Sequence, residues 1–342
     1  MLKIKMQGDI IVFTGVYTLK NLRRGVNMGT DLIQKILKLK KEKNAVILAH
    51  YYQPAIIQEL ADFVGDSYYL SEIARDCKEE VIMFCGVRFM AESAKILSPQ
   101  KTVLMPCASA GCSMADMASG KALLELKEKY PEAYVVCYIN STCNVKAHCD
   151  VAVTSSSALK ILKNIPNKQI MFLPDRNLGE YVSEFFKEKE FILWDGFCRC
   201  HNKISKDDIL KVKQEHNNAK VLVHPECPKE IRDMADYVGS TSGIINYATN
   251  DDGSEFIIGT EEGILHELTK KNPNKKFFIP GDRICCQDMK KTTLENLYDA
   301  LLNMKNEMIL DEDIRIKALK SLENMHLLGS AEATVILESE VR

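Results

Sequence analysis

The segment VLVHPECP, residues 221–228, decides the fold once it is set beside VILAHYYQ, 46–53, and VVCYINST, 135–142. Each is a β-branched apolar run that stops abruptly in polar, reactive side chains. His50, Tyr138 and His224 close the three runs at separations of 88 and 86 residues. The register persists downstream. FVGDS, VAVTS and YVGST place Asp66, Thr154 and Ser240 at the same two separations, and VIMFCG, QIMFLP and EFIIGT do so for Gly86, Pro174 and Thr260. Amphipathic stretches lie between the runs, and TVLMP, FILWDG and KFFIP supply a fourth run in each unit. Internal periods of this kind define repeated structural units.

Each unit reads as four strands alternating with helices, which predicts a parallel sheet covered on both faces. The unbroken apolar character of the runs agrees with strands buried on both sides. The expected fold is α/β: three homologous αβα three-layer domains with parallel sheets, arranged about a pseudo-threefold axis around a central metal site. The boundaries read as 29–116, 117–203 and 204–291, with C-terminal helices over 292–329 packing on the first domain. Residues 1–28 match nothing later in the chain and read as an N-terminal extension. The RRGVNM stretch at 23–28 points to a natural start at Met28, the competing reading being a native, poorly ordered N-terminal arm.

Composition narrows the function. The chain has 342 residues, 46% of them hydrophobic, and a formal net charge of -2 with acids and bases interspersed. That leaves no basic footprint for nucleic acid. The apolar stretch IIVFTGVYTL, 10–19, is too short to span a bilayer and lacks a signal-peptide cleavage pattern. Twelve cysteines without a secretory signal point to a reducing, cytoplasmic setting and to metal ligation rather than a disulfide framework. Cys85 and Cys137 sit inside apolar strands and read as core residues.

One cysteine set obeys the repeat. Cys112 in SAGCSM, Cys198 in DGFCRC and Cys286 in RICCQD follow the fourth run at separations of 86 and 88, whereas Cys107, Cys200 and Cys285 break the spacing. Three equivalent loops converging on an axis would present three soft thiolates, suited to zinc, Cu(I) or an iron–sulfur cluster. A cubane on three cysteines leaves one iron free to act as a Lewis acid. Common ancestry of three packed loop cysteines is the alternative. Cys285 is expected to face away into packing, and a strained vicinal disulfide with Cys286 is not expected.

Polar groups gather at the same pole. His50, Tyr52, Asp66, Ser67, Tyr138, Asn140, Ser155, His224, Glu226 and Thr241 lie at or just past the carboxyl ends of runs, where open parallel sheets bind ligands. Ser155, Thr241 and Asp66 also read as helix N-caps, a role compatible with anion binding at the same terminus. GxGxxG, GxxxxGK[ST] and HExxH are all absent.

The segments AHYYQPAIIQELADFVGDS, GVRFMAE, YINST, PDRNLGEY, VHPECPKEIRDMADYVGSTSG, IGTEEGILHEL and DMKKTTLENLYDAL closely resemble quinolinate synthase, over about residues 29–328. The resemblance implies three αβα domains and a [4Fe-4S] cluster on Cys112, Cys198 and Cys286. It implies condensation of iminoaspartate with dihydroxyacetone phosphate to quinolinate, phosphate and two waters, in NAD biosynthesis. The iminoaspartate would come from an L-aspartate oxidase or aspartate dehydrogenase. By the same resemblance Tyr52 and Glu226 transfer protons with His50 and His224 beside them. His50, Asp66, Ser67, Tyr138, Asn140, Ser155, His224, Glu226, Ser240 and Thr241 then contact substrate, with Asp66 a candidate partner for a histidine. Ser113 stands where many relatives have proline after the first ligand, and the Cys285–Cys286 pair does not support CxxC redox control. An aconitase-like hydro-lyase with the same cluster type and a non-catalytic iron–sulfur or zinc sensor are the rival readings.

Overall fold

A computed structural model describes the backbone of residues 3–7, 10–14 and 26–330, and side chains over 31–330. Three parallel four-stranded sheets carry the chain. With the strands numbered along the sequence, β1 (Lys3–Gln7) and β2 (Ile10–Thr14) form an antiparallel hairpin. The first sheet holds β3 (Ala45–His50), β4 (Phe63–Gly65), β5 (Val81–Cys85) and β6 (Thr102–Leu104), in the order β4-β3-β5-β6. The second holds β7 (Tyr134–Tyr138), β8 (Val151–Val153), β9 (Gln169–Leu173) and β10 (Glu190–Leu193), in the order β10-β9-β7-β8. The third holds β11 (Lys220–Val223), β12 (Tyr237–Val238), β13 (Glu255–Gly259) and β14 (Lys276–Phe278). Its order is β14-β13-β11-β12, and β2 extends it by pairing antiparallel to β14.

The four runs read in each repeat are thus strands, and all three sheets share one order in which the second strand lies outside the first. This arrangement has its topological switch beside the first strand, where doubly wound sheets open a crevice at the carboxyl ends. Alternation places successive side chains on opposite faces. In β3, Ile47 and Ala49 pack with Ile36, Leu39, Leu297 and Leu301 of the helices Val26–Glu42 and Leu294–Asn303. Val46 and Leu48 face the large core shared with the other two sheets. Every residue of β3 is buried, which is why the strand reads as one apolar run rather than an alternating one.

The C-terminal helices divide their work. Leu294–Asn303 packs on the first sheet. The helix Glu312–Gly329 instead bridges the first two units. Arg315 Nη1 donates to Ile96 O at 3.2 Å, and Asn324 Nδ2 donates to Asp150 O at 2.8 Å. Its buried Ala318, Leu322 and Met325 explain the placement, because the gap between two α/β units must itself be filled by apolar surface. The extension read at 1–28 contributes β1 and β2, and the helix Val26–Glu42 runs through Met28 without a break. The remaining extension residues lie outside the described part. Among the described residues no helix is long and apolar enough to cross a membrane.

Candidate active site at the carboxyl ends of three sheets

One cavity collects side chains from all three repeats: His50, Tyr52, Asp66 and Ser67 from the first, Tyr138, Asn140 and Ser155 from the second, and His224, Glu226 and Thr241 from the third. Cys112, Cys198 and Cys286 line the same cavity, joined by Cys200, His201, Glu261 and Met289. Cys85 and Cys137 are fully buried in their strands, and all twelve cysteines are unpaired.

Strand ends aim the histidines in the same way. The Tyr52 N–H donates to His50 Nδ1 at 3.1 Å, and the Glu226 N–H donates to His224 Nδ1 at 3.3 Å. Accepting at Nδ1 leaves the proton of each neutral ring on Nε2. That atom of His224 meets Ser155 Oγ at 3.1 Å. Burial pushes both rings down, to about 3, so they are neutral near pH 7. Tyr52 and Tyr138 are driven well above the usual phenol range by burial and then by the Glu226 charge, so both remain proton donors.

Glu226 is the charged centre. Burial alone would raise it, but His201, His224 and the hydrogen bonds from His201 and Tyr138 hold it at about 2. His201 Nδ1 lies 2.7 Å from Glu226 Oε2 and 3.2 Å from Cys198 Sγ, and the ring stacks on His224 with centroids 4.8 Å apart. On its other side His201 Nε2 meets Thr260 Oγ1 at 2.8 Å, and Thr260 Oγ1 meets the Tyr52 hydroxyl at 2.7 Å. Tyr52, Thr260, His201 and Glu226 therefore form one unbroken hydrogen-bonded path, with Thr241 Oγ1 also 2.9 Å from the Tyr52 hydroxyl.

Acid stability follows from these shifts. The two histidines take up protons near 6.5 when unfolded but only near 3 when folded. Stability held above pH 6.5 is therefore lost as pH falls toward 3, and Glu226, depressed from 4.5 to about 2, adds a loss of the same sign at lower pH. The metal-free protein is expected to melt at progressively lower temperature from pH 7 to about 5. A midpoint that stays flat in thermal scans over that range contradicts the neutral assignment.

Several expectations change here. Ser240 is not on the cavity wall; its hydroxyl caps the helix Thr241–Asn250 by accepting the Gly243 N–H at 3.1 Å. Thr241 and Ser155 are not caps, and their hydroxyls serve Tyr52 and His224 instead. Asp66 is a cap, accepting the Tyr69 N–H at 3.0 Å, and its second oxygen accepts from Ser242 Oγ at 2.6 Å rather than from a histidine. Cys285 does turn away from the cavity, but it stays half exposed beside Gln287 instead of packing. His201, Thr260, Glu261 and Lys290 were absent from the sequence-based set. The acidic residue after the third strand, in PDRNLGEY and again in IGTEEGILHEL, was the available signal for Glu261.

The donor set fits a thiolate-bound metal centre. Burial raises the Cys112 thiol to about 12, the Cys286 thiol to about 11 and the Cys198 thiol well above the usual range. Cys286 adds to the rise at Cys112, and Cys112 to that at Cys198, so the thiols sense one another's charge. Buried thiols that oppose each other's ionisation are inert alone and become thiolates when a cation supplies the missing charge. Cys198, His201 and Glu226 also hold ligand atoms within 4.8 Å of one another. There the separation of His201 Nδ1 from Glu226 Oε2 is that of a direct hydrogen bond, which leaves no space for an ion between them.

Fold and cavity together define an α/β protein with a buried centre of thiols, histidines and a carboxylate, of the kind that does acid–base chemistry beside a metal. The family described as quinolinate synthetase A protein matches residues 34–327. A quinolinate synthase of Clostridioides difficile (strain 630) is 68% identical over 302 residues, covering 88% of this chain and 99% of that protein. Quinolinate synthases of Clostridium perfringens (strain SM101 / Type A) and Clostridium novyi (strain NT) are 58% and 54% identical, covering 87% and 88% of this chain and 99% and 100% of theirs. The chain belongs to the quinolinate synthase family, which disfavours the hydro-lyase and sensor readings.

Proposed function

We propose that this enzyme condenses iminoaspartate with dihydroxyacetone phosphate to give quinolinate, phosphate and two waters, toward the pyridine ring of NAD. A [4Fe-4S] cluster on Cys112, Cys198 and Cys286 is its cofactor, with the three units placed around it by a pseudo-threefold relation. The carrying observation is that the three thiols spaced 86 and 88 residues apart share one cavity with the Glu226 network. When bound, the cluster supplies a Lewis-acidic iron without a protein ligand.

The chain's own residues supply the proton chemistry and the grip. Glu226 is ionised and takes a substrate proton. Tyr52, kept protonated by burial, donates one. The path through Thr260 and His201 lets a proton given up at Tyr52 be replaced from Glu226, so the two groups reset together over consecutive dehydrations. The Nε2–H groups of His50 and His224, the hydroxyls of Ser67, Ser155 and Thr241 and the amide of Asn140 hold phosphate and carboxylates. Asn140 Oδ1 is buried without a hydrogen-bond partner, as a group reserved for ligand would be. Ser67 and Thr241 begin ten-residue helices whose N-terminal N–H groups favour anions. Asp66, tied to Tyr69 and Ser242, keeps the Ser67 terminus in place. Ser240 supports substrate only through the helix it caps.

Twelve unpaired cysteines fit a reducing cytoplasm, where an L-aspartate oxidase or aspartate dehydrogenase would supply the unstable imine. The test is an anaerobic assay of the purified protein with dihydroxyacetone phosphate and enzymatically generated iminoaspartate. Quinolinate formation with about four irons per chain is the expected result. Full activity in an iron-free zinc protein would overturn the cofactor assignment, and absence of quinolinate from iron-loaded protein would overturn the reaction.

A further inference from the structure

The three thiol loops hang from equivalent main-chain bonds. Two residues before each cysteine, a carbonyl accepts the N–H of the third residue past the third strand: Arg88 to Ala110, Arg176 to Gly196 and Glu262 to Ile284, each at 2.8 Å. One residue earlier the repeats diverge. The second unit has Asp175 and the third has Glu261, both with no exposed surface.

These two carboxylates make the same pair of contacts. Asp175 Oδ1 accepts the Leu178 N–H at 2.7 Å, at the head of the helix Arg176–Ser183, and Oδ2 accepts the Cys198 N–H at 3.1 Å. Glu261 Oε2 accepts the Gly263 N–H at 2.7 Å, at the head of the helix Ile264–Lys271, and Oε1 accepts the Cys286 N–H at 3.1 Å. Lys290 neutralises Glu261 at 2.8 Å and reaches Tyr52 O at 2.6 Å, tying the third loop to the first unit. Each contact to a cysteine is a direct bond from a main-chain N–H to a buried carboxyl oxygen, where a bond left unmade costs the full desolvation of the groups. The first unit carries Val87 at this position, whose side chain can accept no hydrogen bond. Among the described residues the Cys112 N–H has no acceptor, and a Cβ added at neighbouring Gly111 would meet nothing within 4 Å.

We propose that Asp175 and Glu261 are positioning residues that lock the Cys198 and Cys286 loops by their main-chain N–H groups, and that the unlocked Cys112 loop is the arm that releases first when iron leaves. Outer contacts of this type hold ligands in register and change metal affinity by about 10–100-fold when removed. Two rigid arms and one yielding arm let a preassembled site accept and lose a cluster without unfolding the cavity. This inference rests on the three-cysteine reading.

The experiment exposes anaerobic holoprotein to a ferrous chelator together with iodoacetamide and maps alkylated cysteines by peptide mass spectrometry over time. Cys112 is expected to be modified first as iron leaves, with Cys198 and Cys286 lagging. Asp175→Ala should accelerate Cys198 alone, and Glu261→Ala Cys286 alone, each on the order of tenfold. Asp175→Asn and Glu261→Gln keep the side-chain shape but offer one amide oxygen to two N–H groups, so they should fall between. Simultaneous modification of the three thiols in the native chain overturns the proposal, as does a uniform acceleration in the variants. If an alanine variant does not fold, the order in the native chain decides. Alkylation of these thiols before chelator is added, as fast as that of Cys285, would show instead that the three-cysteine reading itself is wrong.

Discussion

Glu226→Gln is expected to lower kcat by about 10²–10⁴-fold while leaving iron content and KM within a few-fold of the native values. The substitution keeps the shape of a side chain that is only 3% exposed, so its packing survives. The amide oxygen can still accept from His201, whose Nδ1 sits 2.7 Å away in the native chain, so the histidine stays aligned beside Cys198. What disappears is the charge. Glu226 is a buried carboxylate held ionised, at about 2, close to a phenol that burial keeps protonated, and it is the terminus of the path from Tyr52. A glutamine can neither take a substrate proton nor return one along Thr260 and His201. The check is steady-state kinetics with iron quantified on the same sample. A kcat within tenfold of native would remove Glu226 as the base. Lost iron would recast it as support for Cys198.

What made the fold readable was a period, and the same period explains what was missed. Residues that recur in all three units, such as the strand-end set His50, Tyr138 and His224, stand out because their spacing repeats while their surroundings drift. His201 stands three residues past Cys198, where the other two units have Ala115 and Met289, so no repeat signal marks it. Its role arises only when the third unit brings Thr260 and Glu226 against the second. Glu261 and Asp175 share a register position but differ in length, and Val87 breaks the series, so the motif is hidden by divergence. Ser240 shows the opposite error. It obeys the period perfectly, yet a serine one residue before a helix gains more by capping it than by facing a ligand. Periodicity identifies equivalent backbone positions. Which side chain turns into the cavity is settled locally, by caps and by contacts between units.

Cys286→Ala should yield protein that binds essentially no stable cluster, whereas Cys285→Ala should retain about four irons and near-native turnover. The two residues are chemically identical neighbours, so the contrast isolates geometry. Adjacent side chains on extended backbone point to opposite sides. Glu261 fixes which side is which by holding the Cys286 N–H at 3.1 Å, and that places the Cys286 thiol on the cavity wall with Cys112 and Cys198. The Cys285 thiol is left half exposed, with Gln287 Nε2 3.7 Å away. Two thiolates cannot hold a cubane that three are needed to anchor, and Cys285 cannot take over without turning the loop and breaking the Glu261 bond, which costs a buried carboxylate one of its donors. Iron analysis and absorbance near 400 nm on anaerobically purified variants decide the matter. Iron retained in Cys286→Ala and lost in Cys285→Ala would shift the ligand register by one residue, and would take with it both the 88-residue step from Cys198 and the part assigned to Glu261.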